Sequence, residues 1–130
     1  MDGADFRGGY DGTLLGGVVS GSATGHFIAQ RVSAVIVLVL GAWFVVSVSG
    51  LDSVQHQAVM QFLASPLNGF LTGLLCAAMA YHSYLGVQVV IEDYVHAPRL
   101  CWFSLMLSRA AHLAVGILCV YYVYEIGFGA

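Results

Sequence analysis

From Val32 to Gly50 the chain carries no Asp, Glu, Lys or Arg, and from Leu67 to Ile91 it does the same with His82 as the one basic side chain. A bilayer core of roughly 30 Å is crossed by about 20 helical residues, and both stretches approach or exceed that length. Backbone N–H and C=O groups cannot stay unpaired in hydrocarbon, so each stretch must be a helix. Leu100 to Tyr124 is long enough for a third span, although Arg109 and His112 interrupt it. Pro66 and Pro98 stand just before the second and third stretches, where a missing N–H costs a helix nothing. The expectation is an all-α membrane protein with three transmembrane helices over about 28–50, 67–92 and 100–125. These make up a membrane region, 28–130, behind a polar N-terminal arm, 1–27.

Composition supports lipid as the solvent. Hydrophobic residues make up 59% and charged ones 8%, against roughly a quarter charged in a soluble domain. With so little polar surface, a chain of three helices needs partners, and Gly69 and Gly73 offer a GxxxG for close helix contact. All four basic residues are arginines and the net charge is −3, so no nucleic-acid footprint exists. Cys76, Cys101 and Cys119 form no CxxC pair and read as small hydrophobes. The arm, with Asp2, Asp5 and Asp11, has neither the pattern of a secretion signal nor that of a transit peptide, and it suits contact with a soluble partner. That favours a bacterial cytoplasmic membrane, with the mitochondrial inner membrane as the alternative.

Arginine placement sets the expected topology. Arg7 and Arg31 precede the first span and Arg99 follows the second, while Leu51 to Pro66 has none. By the positive-inside rule the N-terminus and the Glu92–Arg99 connection face inside. Trp43, Trp102 and Tyr121, Tyr122 and Tyr124 are candidate interface aromatics, though packing among apolar groups explains them equally.

His82 is the main functional candidate. An imidazole within a span is costly enough to suggest a role, and this one lies about nine residues, roughly 14 Å, from the inner end of its helix. Neutral imidazole can ligate haem iron through one nitrogen if the other finds an acceptor, and Ala78 and Gly86, one turn either side, leave room for a flat macrocycle. A histidine merely hydrogen-bonded to a neighbouring helix fits the residues as well. His112, alone or meeting a propionate with Arg109, is a weaker ligand candidate, and His26, His56 and His96 fall outside the spans. At the inner boundary Arg31, Asp93 and Tyr94 would combine a cation, an acid and a phenol. That set suits a quinone carbonyl that gains negative charge on reduction, and it also suits ordinary interfacial anchoring.

The string His82-Ser-Tyr-Leu-Gly86, then Gln88 and Glu92-Asp93-Tyr94-Val95, resembles the hydrophobic membrane-anchor family of succinate dehydrogenase. Arg31-Val-Ser-Ala resembles that family's opening to the first helix. The resemblance runs from about His26 onward and implies a helical bundle shared with a companion anchor subunit. It implies that His82 is one axial ligand of haem b iron, with the other from the companion anchor. Tyr94 would bond a ubiquinone carbonyl, Asp93 would support that site, and Arg31 would lie near the haem propionates or the quinone. A flavoprotein subunit oxidises succinate and an iron–sulfur subunit passes electrons to the quinone, so the chain itself carries no catalytic residue. His96, Pro98, Arg109 and His112 receive no role. Two alternatives stay open: a non-redox membrane assembly subunit, and a fumarate reductase-type anchor using menaquinone.

Overall fold

The structure, a computed structural model, describes residues 23–53 and 55–129. Most of the expected arm, Arg7 included, therefore lies outside the described residues. Among them are four helices and no strand: α1 Ala23–Ser49, α2 His56–Ala64, α3 Pro66–Tyr94 and α4 Pro98–Phe128. The long ones have 27, 29 and 31 residues. At 1.5 Å per residue these are about 40 to 47 Å long, which exceeds the hydrocarbon thickness and leaves the ends at the headgroups. Three candidate membrane spans, Gly25–Ser49, Pro66–Tyr94 and Pro98–Gly127, fall within them. The all-α membrane architecture is as expected. α1 starts earlier than the sequence suggests, so residues 23–27 belong to the helix.

Pro66 and Pro98 occupy the first turns of α3 and α4, as their missing N–H groups allow. The preceding residues, Ser65 and Ala97, are extended, the conformation that proline imposes on its predecessor. The short α2 interrupts what the sequence presents as a plain connection. Its Val59, Phe62 and Leu63 gather on one side and His56, Gln57 and Gln61 stay exposed or partly so, a period that a nine-residue helix satisfies. Phe62 is buried and lies 6.1 Å from the Trp43 ring and 6.2 Å from the Phe44 ring, so Trp43 closes the α1–α2 corner.

α3 is the central helix, with α1 along one flank and α4 along the other, and α2 caps one end against α3 and α4. Small residues set the approach. A Cβ on Gly116 of α4 would come within 3.1 Å of the Ala80 methyl on α3, and one on Gly69 within 2.7 Å of the Leu63 carbonyl oxygen. Gly69, half of the GxxxG, is thus used inside the chain. Among the described apolar residues only Phe62, Leu75 and Leu85 are buried, whereas Leu38, Val46, Phe70 and Leu113 on the three long helices are each more than 60% exposed. A row of three helices encloses almost no core, so lipid or further helices must cover these faces.

The Gly69 contact gives a test. Gly69→Ala pushes a methyl into a backbone carbonyl, and overpacking of this kind costs about 1–3 kcal/mol. Thermal unfolding of the membrane-extracted protein should fall by several degrees, while Gly41→Ala, with nothing within 4 Å of the added methyl, should not fall.

Candidate functional site

Polar side chains line the α1–α3 seam. Along α1, His26, Gln30 and Ser33 recur at helical spacing and form one polar stripe in an apolar helix. Ser33 is 4% exposed. Its hydroxyl donates to the Gln30 carbonyl oxygen at 3.1 Å and lies 2.9 Å from His82 Nδ1 across the seam. A hydroxyl has one proton and a carbonyl cannot donate, so both contacts are satisfied only if Ser33 Oγ accepts from His82 Nδ1–H. The imidazole is then the Nδ1-protonated tautomer, with the Nε2 lone pair left for something else. Among the described residues no hydrogen bond reaches that Nε2.

The rest of the seam also has unused polar capacity. Gly86 leaves space in which the Gln30 side-chain amide sits, 3.7 Å from where a Cβ would be. Part of the groove expected beside His82 is therefore lined by Gln30. Gln30 Oε1 and His26 Nε2 are buried with no hydrogen-bond partner. Buried polar atoms without partners are costly in an apolar medium, so these two atoms, like Thr72 Oγ1 on α3, retain hydrogen-bonding capacity that the described residues do not use. His26, expected outside the spans, lies instead within the candidate span Gly25–Ser49, and Gln30 was not singled out from the sequence, although its spacing with Ser33 was the available signal.

His112 behaves differently. Its Nδ1–H donates to the Ser108 carbonyl at 2.8 Å and its Nε2 accepts from Ser83 Oγ at 3.1 Å, with the Tyr84 ring edge-on at 6.1 Å. Both nitrogens are engaged, at the depth of His82 but on the opposite flank of α3. Beside it, Tyr81, Tyr84, Arg109 and Tyr121 help line an apolar groove of about 740 Å³ between α3 and α4.

Arg31, Asp93 and Tyr94 do not meet. The Ser33–His82 and Gln30–Gly86 contacts fix an antiparallel register for α1 and α3. In that register Asp93 and Tyr94 come level with the start of α1, so Arg31 lies roughly 13 Å deeper at 1.5 Å per residue. Arg31 is exposed at the depth of His82 and Gly86, its guanidinium 4.9 Å over the Phe27 ring, and it forms no ion pair with Asp93. Tyr94 is 78% exposed in the last turn of α3, and near it Gln88 Nε2 donates to Glu92 at 2.8 Å. His82 and Tyr94 are roughly 18 Å apart along α3, twelve residues at 1.5 Å each. His96 lies in the α3–α4 connection. Among the described residues no three His, Cys, Asp or Glu side chains converge.

Residues 17–123 match the family described as succinate dehydrogenase/fumarate reductase transmembrane subunit. The chain belongs to this family. Among similar proteins, the succinate dehydrogenase hydrophobic membrane anchor subunit of Rickettsia bellii is 33% identical over 81 residues, 61% of this chain and 63% of that protein. Its counterpart in Rickettsia felis is 30% identical over 79 residues, 61% of this chain and 66% of that protein. The one in Rickettsia prowazekii is 30% identical over 81 residues, 62% of this chain and 65% of that protein. The matched region thus spans a little under two thirds of these relatives. Family membership agrees with the resemblance carried by His82–Gly86 and Asp93–Tyr94, and relatives of this name are anchor subunits of an enzyme complex.

The hydrogen-bond pattern predicts a tautomer. In ¹⁵N-histidine-labelled protein free of haem, the His82 ring should be protonated at Nδ1, and a proton on Nε2 would contradict the Ser33 geometry.

Proposed function

We propose that the chain is a membrane-anchor subunit of succinate dehydrogenase that binds haem b through His82 Nε2 and forms part of a ubiquinone-reduction site at Tyr94 and Asp93. The observation that carries this reading is the free Nε2 lone pair of an intramembrane imidazole whose Nδ1–H is held by Ser33 at 2.9 Å. An axial histidine needs that arrangement: one nitrogen for iron and an acceptor on the other to fix ring and tautomer. The orphaned His26 Nε2 and Gln30 Oε1 on the same seam fit a polar-edged ligand there, and Arg31 at the same depth offers a cation for its carboxylates. When bound, haem b supplies a one-electron redox centre. A companion anchor subunit would supply a further ligand to the haem and would cover the exposed apolar faces.

The chain's own residues position the quinone. The Tyr94 O–H donates to a quinone carbonyl oxygen, stabilising the charge that builds there on reduction, and Asp93 beside it supports the site and the proton supply. Arg31 serves the deeper, haem side of the pair of roles considered for it. An iron–sulfur subunit delivers electrons and a flavoprotein subunit oxidises succinate, both from outside the bilayer. Arg99 beside the Tyr94 end, Arg31 in the nearer half of α1 and Arg7 before it favour the inner side of a bacterial cytoplasmic membrane for that end and for the N-terminus. The polar arm would then meet the soluble subunits.

A second reading has one observation in its favour. The Ser33–His82 bond by itself makes a sound helix-to-helix contact, as in a non-redox assembly subunit. Optical spectra separate the two. A complex purified through this chain should show a b-type haem, and His82→Ala should abolish or shift its absorption; an unaltered spectrum rules out ligation by His82. Tyr94→Phe removes one hydrogen bond of about 1 kcal/mol and should slow quinone reduction roughly fivefold. Succinate oxidation by a soluble artificial acceptor should be unchanged, and equal loss in both assays would count against a quinone role.

A further inference from the structure

We infer that Ser33 is a positioning residue that fixes the tautomer of His82 and sets its donor strength toward iron, so that haem potential is adjusted from α1. This rests on the ligand role proposed for His82 and adds a residue to it. Ser33 and Thr72 are the buried polar side chains among the described residues, and Ser33 has both of its contacts directed: donation to the Gln30 carbonyl oxygen at 3.1 Å and acceptance from His82 Nδ1 at 2.9 Å. Serine within a helix commonly returns its proton to a carbonyl one turn back, which leaves its oxygen lone pairs facing outward. Here that local habit has a consequence across the seam. With its proton committed to Gln30, Ser33 can meet His82 only as an acceptor, and the imidazole must present Nε2 unprotonated.

The same bond acts on ligand strength. A hydroxyl that is already donating is polarised and accepts more strongly. Accepting from Nδ1–H moves electron density into the ring and raises the basicity of Nε2. A stronger donor favours ferric over ferrous iron. Removing the acceptor weakens that preference and leaves Nδ1–H unpaired in apolar surroundings, where the ring gains by turning toward another acceptor.

Three variants test this in the assembled complex: Ser33→Ala, Ser33→Thr and Ser33→Val. Threonine keeps the hydroxyl, and valine matches threonine in shape without it. Readouts are the haem midpoint potential, the low-spin ferric electron paramagnetic resonance signal and the optical band. Ser33→Thr should keep wild-type values. Ser33→Val and Ser33→Ala should favour ferrous haem by up to about tenfold, a rise of about 59 mV for a one-electron couple, with a shifted resonance signal. Should the alanine variant fail to assemble, the threonine–valine pair still decides. Equal potentials and signals in those two overturn the inference while leaving His82 as ligand, provided His82→Ala alters the haem spectrum. If His82→Ala leaves the spectrum untouched, the ligand role and the inference fall together.

Discussion

Hydrocarbon tolerates no unpaired hydrogen-bonding group cheaply, and that intolerance organises the molecule. It makes helices of the apolar stretches, and it makes every polar side chain within them informative. Ser33, His82, Ser83, Ser108 and His112 are joined in two small networks, one on each flank of α3. The network on α4 is closed, with both nitrogens of His112 engaged. On α1, Gln30 Oε1 and His26 Nε2 are buried without a partner, and among the described residues no hydrogen bond reaches His82 Nε2. Two intramembrane histidines at one depth are thereby distinguished by what surrounds them, a distinction that residue type alone does not carry.

The openness of the α1 seam goes with the shape of the whole chain. Three helices in a row, α1–α3–α4, leave apolar surfaces on both faces and bury almost nothing. Such a layer leaves its faces to be covered by lipid or by helices outside the described residues.

Much of this was legible in the sequence. The three spans follow from apolar length and the helix starts from Pro66 and Pro98, while the role proposed for His82 comes from its position in hydrocarbon. The family resemblance rested on His82, Gly86, Asp93 and Tyr94, and the family match agrees with it. What escaped depends on register between helices. Arg31 reads as a neighbour of Asp93 and Tyr94 when helix ends are simply gathered on one side, yet the pairing of Ser33 with His82 sets it well inside α1, level with the imidazole. The α2 helix was hidden because nine residues are too few for periodicity to stand out against a loop. Ser33 was visible only as part of a motif; that its proton goes to Gln30 is a matter of ångströms.

The most direct test is an experimental structure of the assembled complex isolated through this chain. Iron should be coordinated by His82 Nε2, with Nδ1 still within hydrogen-bonding distance of Ser33 Oγ and a second ligand contributed by another chain. Iron held elsewhere, or His82 Nε2 turned to lipid or to another side chain, would contradict it.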